Sequence, residues 1–497
     1  MKIKSFSLLI GLSILNFLSV SRADDFNAVQ SGNWSDPATW VDNTVATNGT
    51  VPGPNDDADI PSGFNVTVDT NVVVEYIYDY GTVTMAPNSS LNLLQDAAIA
   101  TSITLDATAI GNTVIYSANP FFAYQTNYYN FELIQTNYVN PLPPYGSPWQ
   151  YFNNFSSSAG PTPMTIAGNM TLIGAVEVQQ GTDSPGVSSD ISIGGNLIIG
   201  TGCAWDTSGA NLTVAGDTFI YGSLQDLNGA LGSNYFGGNV IVVGPSNSLQ
   251  TYAGSGIYTN GWYVSDVTTW GIGGNLTNDG SIFGQGYGSI SFDRMGAIAG
   301  SNVLTIPTIA INGNYSIDDT IVLTTNTPTL NGTLVFDIAR TNQIILRYAP
   351  SLTTTNTTMT NYYGGDLIVI NSGAAPTSGK SYQLFSASNY AGAFGSISLP
   401  TLPAGLSWID SLATNGSITV TGTAVGGSSP ILTLSRSGNV LTLSWDSTTF
   451  PGYSVQGQTN SAGLRSNWSA TGSGTISPFT VTISPSNPPV FFRLSNP

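Results

Sequence analysis

The chain has no histidine and a single cysteine, Cys203, in 497 residues. Histidine-dependent triads and histidine metal sites are therefore excluded. One thiol can neither close an internal disulfide nor build a thiolate zinc site. Cations are nearly as scarce. Of the ten Lys and Arg residues, Lys2, Lys4 and Arg22 precede residue 24, which leaves seven against 28 acidic residues. None occurs between Asp24 and Asp293. Such a surface offers phosphates and anionic lipids no replacement for their counterions, which excludes nucleic acid as a partner. Charged residues of both signs make up 8% of the sequence, far below the usual ~25%. Asn, Thr, Ser and Gly must finish the surface instead.

What is present begins with a basic head, Met1 to Lys4, an apolar run from Phe6 to Val20, and Ser21-Arg22-Ala23. That is the layout of a secretory signal peptide, residues 1–23, cut after Ala23. The apolar run is shorter than the ~20 residues that span a bilayer, and nothing later is apolar enough to cross one. The expectation is a secreted, extracellular or cell-surface chain whose mature form inserts into no membrane. Without disulfides, its stability has to come from a long continuous core.

Past residue 23, short runs of Val, Ile, Leu and Thr alternate with Gly, Asn and Asp, the texture of strands and turns. Between Pro161 and Asp337 one phrase, an apolar residue near Gly-Asn and a second apolar residue, recurs at Gly168-Asn169, Gly195-Asn196, Gly216-Asp217, Gly238-Asn239, Gly274-Asn275, Gly313-Asn314 and Gly332. Gly and Asn tolerate the left-handed backbone of a tight corner, and the flanking aliphatics point to a core. A spacing of ~20 residues, stretched by insertions, matches one coil of a solenoid. The fold expected is all-β, a right-handed parallel β-helix over 161–426 with a small β-sandwich-like C-terminal module over 430–497. Residues 24–106 would form an N-terminal cap and first coils, and 107–160 an aromatic-rich insertion.

Three segments carry family resemblances. Trp34, Trp40, Pro52, Asp57, Ile60, Pro61 and Gly63 resemble the leading edge of the glycine-eight domain, which implies a β-rich cap on a solenoid end. Residues 364–426, with Gly365-Asp366-Leu367, Gly379, Tyr382, Leu384-Phe385, Gly392, Phe394, Leu399-Pro400, Gly405-Leu406, Trp408 and Gly416, resemble the segment that closes the passenger β-helix of autotransporter-like surface proteins. The residues that follow are too few for a membrane barrel, so the resemblance is to a passenger without its own pore. The stretch from Pro430, with LTLSW, YSVQGQTN, NWSATG and FFRL, resembles C-terminal β-modules on exported proteins of some bacteria, including the Verrucomicrobia. It implies sorting or attachment.

Candidate ligand-contacting residues are aromatic. Ile115 to Phe155 carries Tyr124, Tyr128, Tyr129, Tyr145, Trp149 and Tyr151 among Asn, Gln and Pro, and a second cluster holds Trp262 and Tyr263. Aromatic rings cover the C–H faces of sugars while amides and hydroxyls bond the rim; the same rings could equally pack on the solenoid flank. Asp56, Asp57 and Asp59 gather oxygen ligands that calcium prefers, without the spacing of an EF-hand; a solvated turn explains them as well. A glycosidase needs two facing carboxylates, and no spacing singles out a pair. For a lyase, Asp293 and Arg294 are the candidate base and cation. The reading is thus a non-enzymatic adhesive, glycan-contacting or matrix-structural protein, without an obligate cofactor, whose partners are extracellular glycans or other surface proteins. A β-helix polysaccharide lyase or glycoside hydrolase is the alternative.

Overall fold

A computed structural model describes the chain from residue 24 to 495 apart from 45–48, 95–101, 118–126, 136–149, 154–162, 175, 181–189, 208–209, 226–232, 244–249, 253–255, 259–260, 265–268, 285–288, 325–326, 343, 347–359, 424–429, 449, 460–467, 472–475 and 485–489. Two compact units emerge. One comprises Met1–Ala375, Gly379–Thr401 and Trp408–Val420, and the other Pro376–Ser378, Leu402–Ser407 and Thr421–Pro497.

The first unit is a parallel β-helix. Three long sheets of 14, nine and ten strands run along it. Each full coil lays one short strand on each. Ile191–Ile193 belongs to the nine-stranded sheet, Leu197–Ile199 to the fourteen-stranded sheet and Ala204–Asp206 to the ten-stranded sheet. Leu212–Val214 then starts the next coil directly over Ile191–Ile193, in parallel register. Alternation fixes which side chains enter the core. Met170, Leu197, Thr218, Val240, Leu276 and Ile298 stack in one inner column of the fourteen-stranded sheet, all fully buried. Leu172, Ile199, Ile220 and Val242 stack in the next. Burying each such aliphatic side chain is worth about 1.5–3 kcal/mol, so rungs of this kind replace the absent disulfides.

Two expectations are corrected here. The coil runs on through 107–160, because Thr113–Tyr116 and Asn130–Gln135 follow Asn71–Val74 and Ser90–Leu93 as successive rungs of the fourteen-stranded sheet. The segment 107–160 is therefore partly coil rather than an insertion. The Gly-Asn corners at Gly216 and Gly238, in turn, are not left-handed: both glycines lie outside the positive-φ residues. They are glycine because coils stack there backbone on backbone. A Cβ on Gly238 would lie 2.4 Å from the Gly216 carbonyl oxygen, and one on Gly216 would lie 2.5 Å from that of Gly195.

The residue after each such glycine builds a ladder. The Asn196 N–H donates to Asn169 Oδ1 at 2.8 Å, Asp217 N–H to Asn196 Oδ1 at 2.8 Å, and Asn239 N–H to Asp217 Oδ1 at 2.8 Å. The Asn275 N–H follows to Asn239 Oδ1 at 2.9 Å, and Ala297 N–H to Asn275 Oδ1 at 2.8 Å. Sequence separations along these steps are 27, 21, 22, 36 and 22. The ladder is therefore indifferent to how long each intervening coil is.

Both ends of the coil are closed by aromatic residues. Trp34 and Trp40 are buried, with ring centroids 4.9 Å apart in an edge-on contact. Their indole N–H groups donate to Pro52 O and Trp34 O. The strand Trp40–Asp42 turns antiparallel against Asp25–Ala28. At the other end Tyr363, Phe385, Tyr390 and Phe394 interlock. The Tyr363 hydroxyl donates to Leu412 O at 2.8 Å.

The second unit has two three-stranded antiparallel arrangements. One orders Thr433–Ser437, Val440–Ser444 and Phe479–Thr482; the other orders Ser469–Ala470, Ser454–Thr459 and Val490–Ser495. Leu443, Trp445 and Val455 form its small core.

Candidate functional site

The outer face of the fourteen-stranded sheet carries an apolar stripe. Along the strand, residues two apart share a face, so Asp217, Phe219 and Tyr221 point outward together while Thr218 and Ile220 are buried. Parallel register then stacks Thr171, Ile198, Phe219, Ile241 and Thr277 in one outer column. A second outer column, two residues further along each strand, holds Ile173, Gly200, Tyr221 and Val243, with Ile134 paired to Ile173; Gly200 leaves a gap between Ile173 and Tyr221. Ile173 is 37% and Tyr221 39% exposed; Ile198, Phe219 and Ile241 are half-buried by their stacked neighbours. The three apolar rungs of the first column, Ile198, Phe219 and Ile241, span about 10 Å at the ordinary interstrand spacing.

Its borders are polar. The Asn196, Asp217 and Asn239 ladder runs beside it, two residues before Ile198, Phe219 and Ile241. Thr171 and Glu132 extend the first column at one end and Thr277 at the other. Burial pushes the Glu132 carboxyl above its usual range, which weakens the one acid in line with the stripe. A flat apolar strip with hydroxyl and amide margins is the surface that stacks on C–H faces and bonds the rim.

The aromatic residues singled out from sequence have varied positions. Tyr124, Tyr145 and Trp149 lie outside the described residues. Tyr128 is corrected from ligand contact to core: it is 1% exposed, its ring 4.6 Å from that of Phe131. Apolar alternation decided this, since Tyr128 takes the inward position of its strand. Tyr129 is half-buried at the next corner, where its carbonyl accepts the Gly168 N–H. The backbone brings Tyr151, Trp262 and Tyr263 onto one sheet. Gln150–Asn153 and Gly261–Val264 both belong to the ten-stranded sheet, with three strands between them. Tyr151 pairs with Glu177, and Trp262 with Leu224 and Ile282, both buried.

Asp293 and Arg294 occupy an exposed corner. The Asp293 carboxylate accepts from Ser291 Oγ at 3.0 Å and Asn312 Nδ2 at 2.8 Å. Among the described residues the ion pairs are those of Arg340, so Asp293 and Arg294 are not joined as one. Asp57 and Asp59 lie on one side of their strand, and Asp57 is beside Asp25 in register. Burial first, then the charge and hydrogen bond of Asp79 and the charge of Asp25, push Asp59 up to about 6. Asp56 instead accepts two backbone N–H groups, from Gly53 at 2.8 Å and Asp24 at 3.3 Å. Among the described residues no group of three acidic, histidine or cysteine side chains is placed to hold a metal ion. Nor is any helix there long and apolar enough to cross a membrane.

Sequence reasoning missed the stripe. Its signal was the outward residue of TFIY and of its equivalents, but unequal coil lengths hide which of those residues stack. Comparison with known protein families, with curated proteins and with solved structures finds no match to the chain.

Proposed function

We propose that the chain is an exported, non-enzymatic β-helix protein that holds extracellular glycans against the outer face of its fourteen-stranded sheet. The observation that carries the reading is the stacked outer row Ile198, Phe219 and Ile241 beside Ile173 and Tyr221. Apolar side chains stacked in register on an outer face, unlike singly scattered exposed hydrophobics, mark a contact surface. Its margin of amides and hydroxyls favours a partner that is apolar on one face and hydroxylated at its edge. The net charge of −18 favours a neutral polysaccharide over a polyanion. Export rests on the signal-peptide layout of residues 1–23.

The test is retention on insoluble and immobilised neutral polysaccharides, comparing the full chain with the Phe219→Ala/Tyr221→Ala double variant. Both rings lie outside the core, so the variant should unfold at the same denaturant concentration. Its affinity should drop about tenfold or more, the sum of two lost stacking contacts. Equal retention of the two proteins, or no retention of the parent on any neutral glycan, sinks the reading.

A further inference from the structure

Near the C-terminal end of the coil, two of the few cations of the chain converge on one pocket of about 460 Å³. Its walls include Asp337, Arg340, Asn342, Lys380, Tyr382 and Gln383. Asp337 ends the strand Thr333–Asp337 and Arg340 stands on the corner after it, and Lys380 immediately precedes the strand Ser381–Gln383. This convergence is unexpected in a chain with 28 acids.

The two cations are held differently. Arg340 Nη1 lies 3.3 Å from Asp318, and its Nε lies 3.9 Å from Asp337. The Asp337 carboxylate is also occupied by the N–H groups of Ala339 and Ser372, each at 3.0 Å, and by the Ser372 hydroxyl. Lys380 has no carboxylate within ion-pair distance among the described residues. Its ammonium sits 6.0 Å from the centroid of the Tyr382 ring, which is itself held by the Trp408 ring at 5.9 Å. The pocket therefore offers one ammonium outside any ion pair among the described residues, an aromatic ring in contact with Trp408, and amide side chains.

We propose that this pocket binds a sugar residue bearing a single carboxylate, a uronate, with Lys380 taking the carboxylate. The volume is within the range of small-ligand sites and exceeds the need of a simple anion. A lone ammonium on a flexible stem matches one negative group as a point charge. The Tyr382 ring suits a sugar face; the Gln383 amide nitrogen is given to Phe385 O and Asn415 O and that of Asn342 to Ile317 O, which leaves their carbonyl oxygens to accept from sugar hydroxyls. The site is separate from the apolar stripe and does not depend on it.

The experiment titrates the full chain with glucuronate, galacturonate, the corresponding neutral sugars and acetate, read by calorimetry or ligand-observed NMR. Uronates should bind, and neutral sugars should bind at least about tenfold more weakly, the value of one charge-assisted hydrogen bond. Lys380→Gln should abolish that preference, and Lys380→Arg should keep it. Both substitutions are on an exposed residue, and an unchanged unfolding midpoint verifies the fold. Failure of every uronate to bind overturns the proposal. So does acetate competing as well as uronate, which would leave a simple anion site, and so does uronate preference that survives in Lys380→Gln.

Discussion

Replacing Gly238 with alanine separates two opposed forces by sign. Gly238 does not use a left-handed backbone, so alanine can adopt its φ without strain. On that ground alone the substitution should stabilise by about 0.4–1 kcal/mol, because the unfolded chain loses freedom. The fold predicts the reverse. The added Cβ would sit 2.4 Å from the Gly216 carbonyl oxygen, 2.5 Å from its carbonyl carbon and 2.7 Å from Asp217 Oδ1. Two of these atoms are backbone, and the Gly238 N–H donates to that same oxygen at 3.2 Å. Relief requires the two coils to part at the corner where the Asn239 N–H also meets Asp217 Oδ1. Overpacking of this kind costs about 1–3 kcal/mol, and loss of the adjoining hydrogen bond adds about 1 kcal/mol. The net expectation is a loss of about 1–3 kcal/mol. Gly53 is the control: it too has no positive φ, and the nearest atom to its added Cβ, Asp56 Oδ2, lies at 3.5 Å. Urea unfolding followed by tryptophan fluorescence measures both variants against the parent. Gly53→Ala should be unchanged or slightly more stable. A Gly238→Ala protein as stable as the parent would refute backbone-on-backbone stacking as the reason for the corner glycines.

Burial pushes the Asp319 carboxyl up to about 7, against an ordinary value of 3.8, and its side chain is 6% exposed. The folded chain then holds this proton where the unfolded chain has released it, so the contribution to stability is full below about pH 4, falls as pH rises toward 7 and levels beyond. Asp319→Asn should flatten the decline in unfolding midpoint between pH 4 and 7; an unaltered slope contradicts the assignment. Cys203 is 2% exposed, its Sγ lies 3.3 Å from Gly174 O, and burial pushes its thiol up to about 11. It should resist maleimide at pH 8 in the native protein and react once the chain is unfolded; labelling of the native protein at the rate of a free thiol would place it elsewhere.

Much of the architecture was legible because the Gly-Asn phrase reports a contact repeated from coil to coil between Asn169 and Asn275. The Asn that follows each corner glycine must meet the N–H of the coil above, whatever the intervening length, so Asn169, Asn196 and Asn239 announce coils in the bare sequence. The coils at Thr113–Tyr116 and Asn130–Gln135 fell inside the expected insertion because they lack the phrase. The physical reason for the glycines was also misread: contact with a neighbouring coil is non-local, and backbone freedom is the only explanation a single segment can suggest. The outer stripe was hidden for the same reason. Phe219 and Ile241 become neighbours only through register, and Tyr128 could be assigned to the core only when its strand was seen to place it inward.

The asparagine ladder also makes the length of the coil a quantity that changes in whole steps. Met164–Ile166 and Leu212–Val214 present equivalent edges to the strand Ile191–Ile193 between them. Excising that one turn of chain would bring the Asp217 N–H to Asn169 Oδ1, a partner identical in kind to the one it lost. The cross-section and both aromatic end closures would survive, and the body would shorten by about 4.8 Å. Duplication of a turn would lengthen it by the same amount. Reach can thus be adjusted by gain or loss of single turns, with no redesign of the interior.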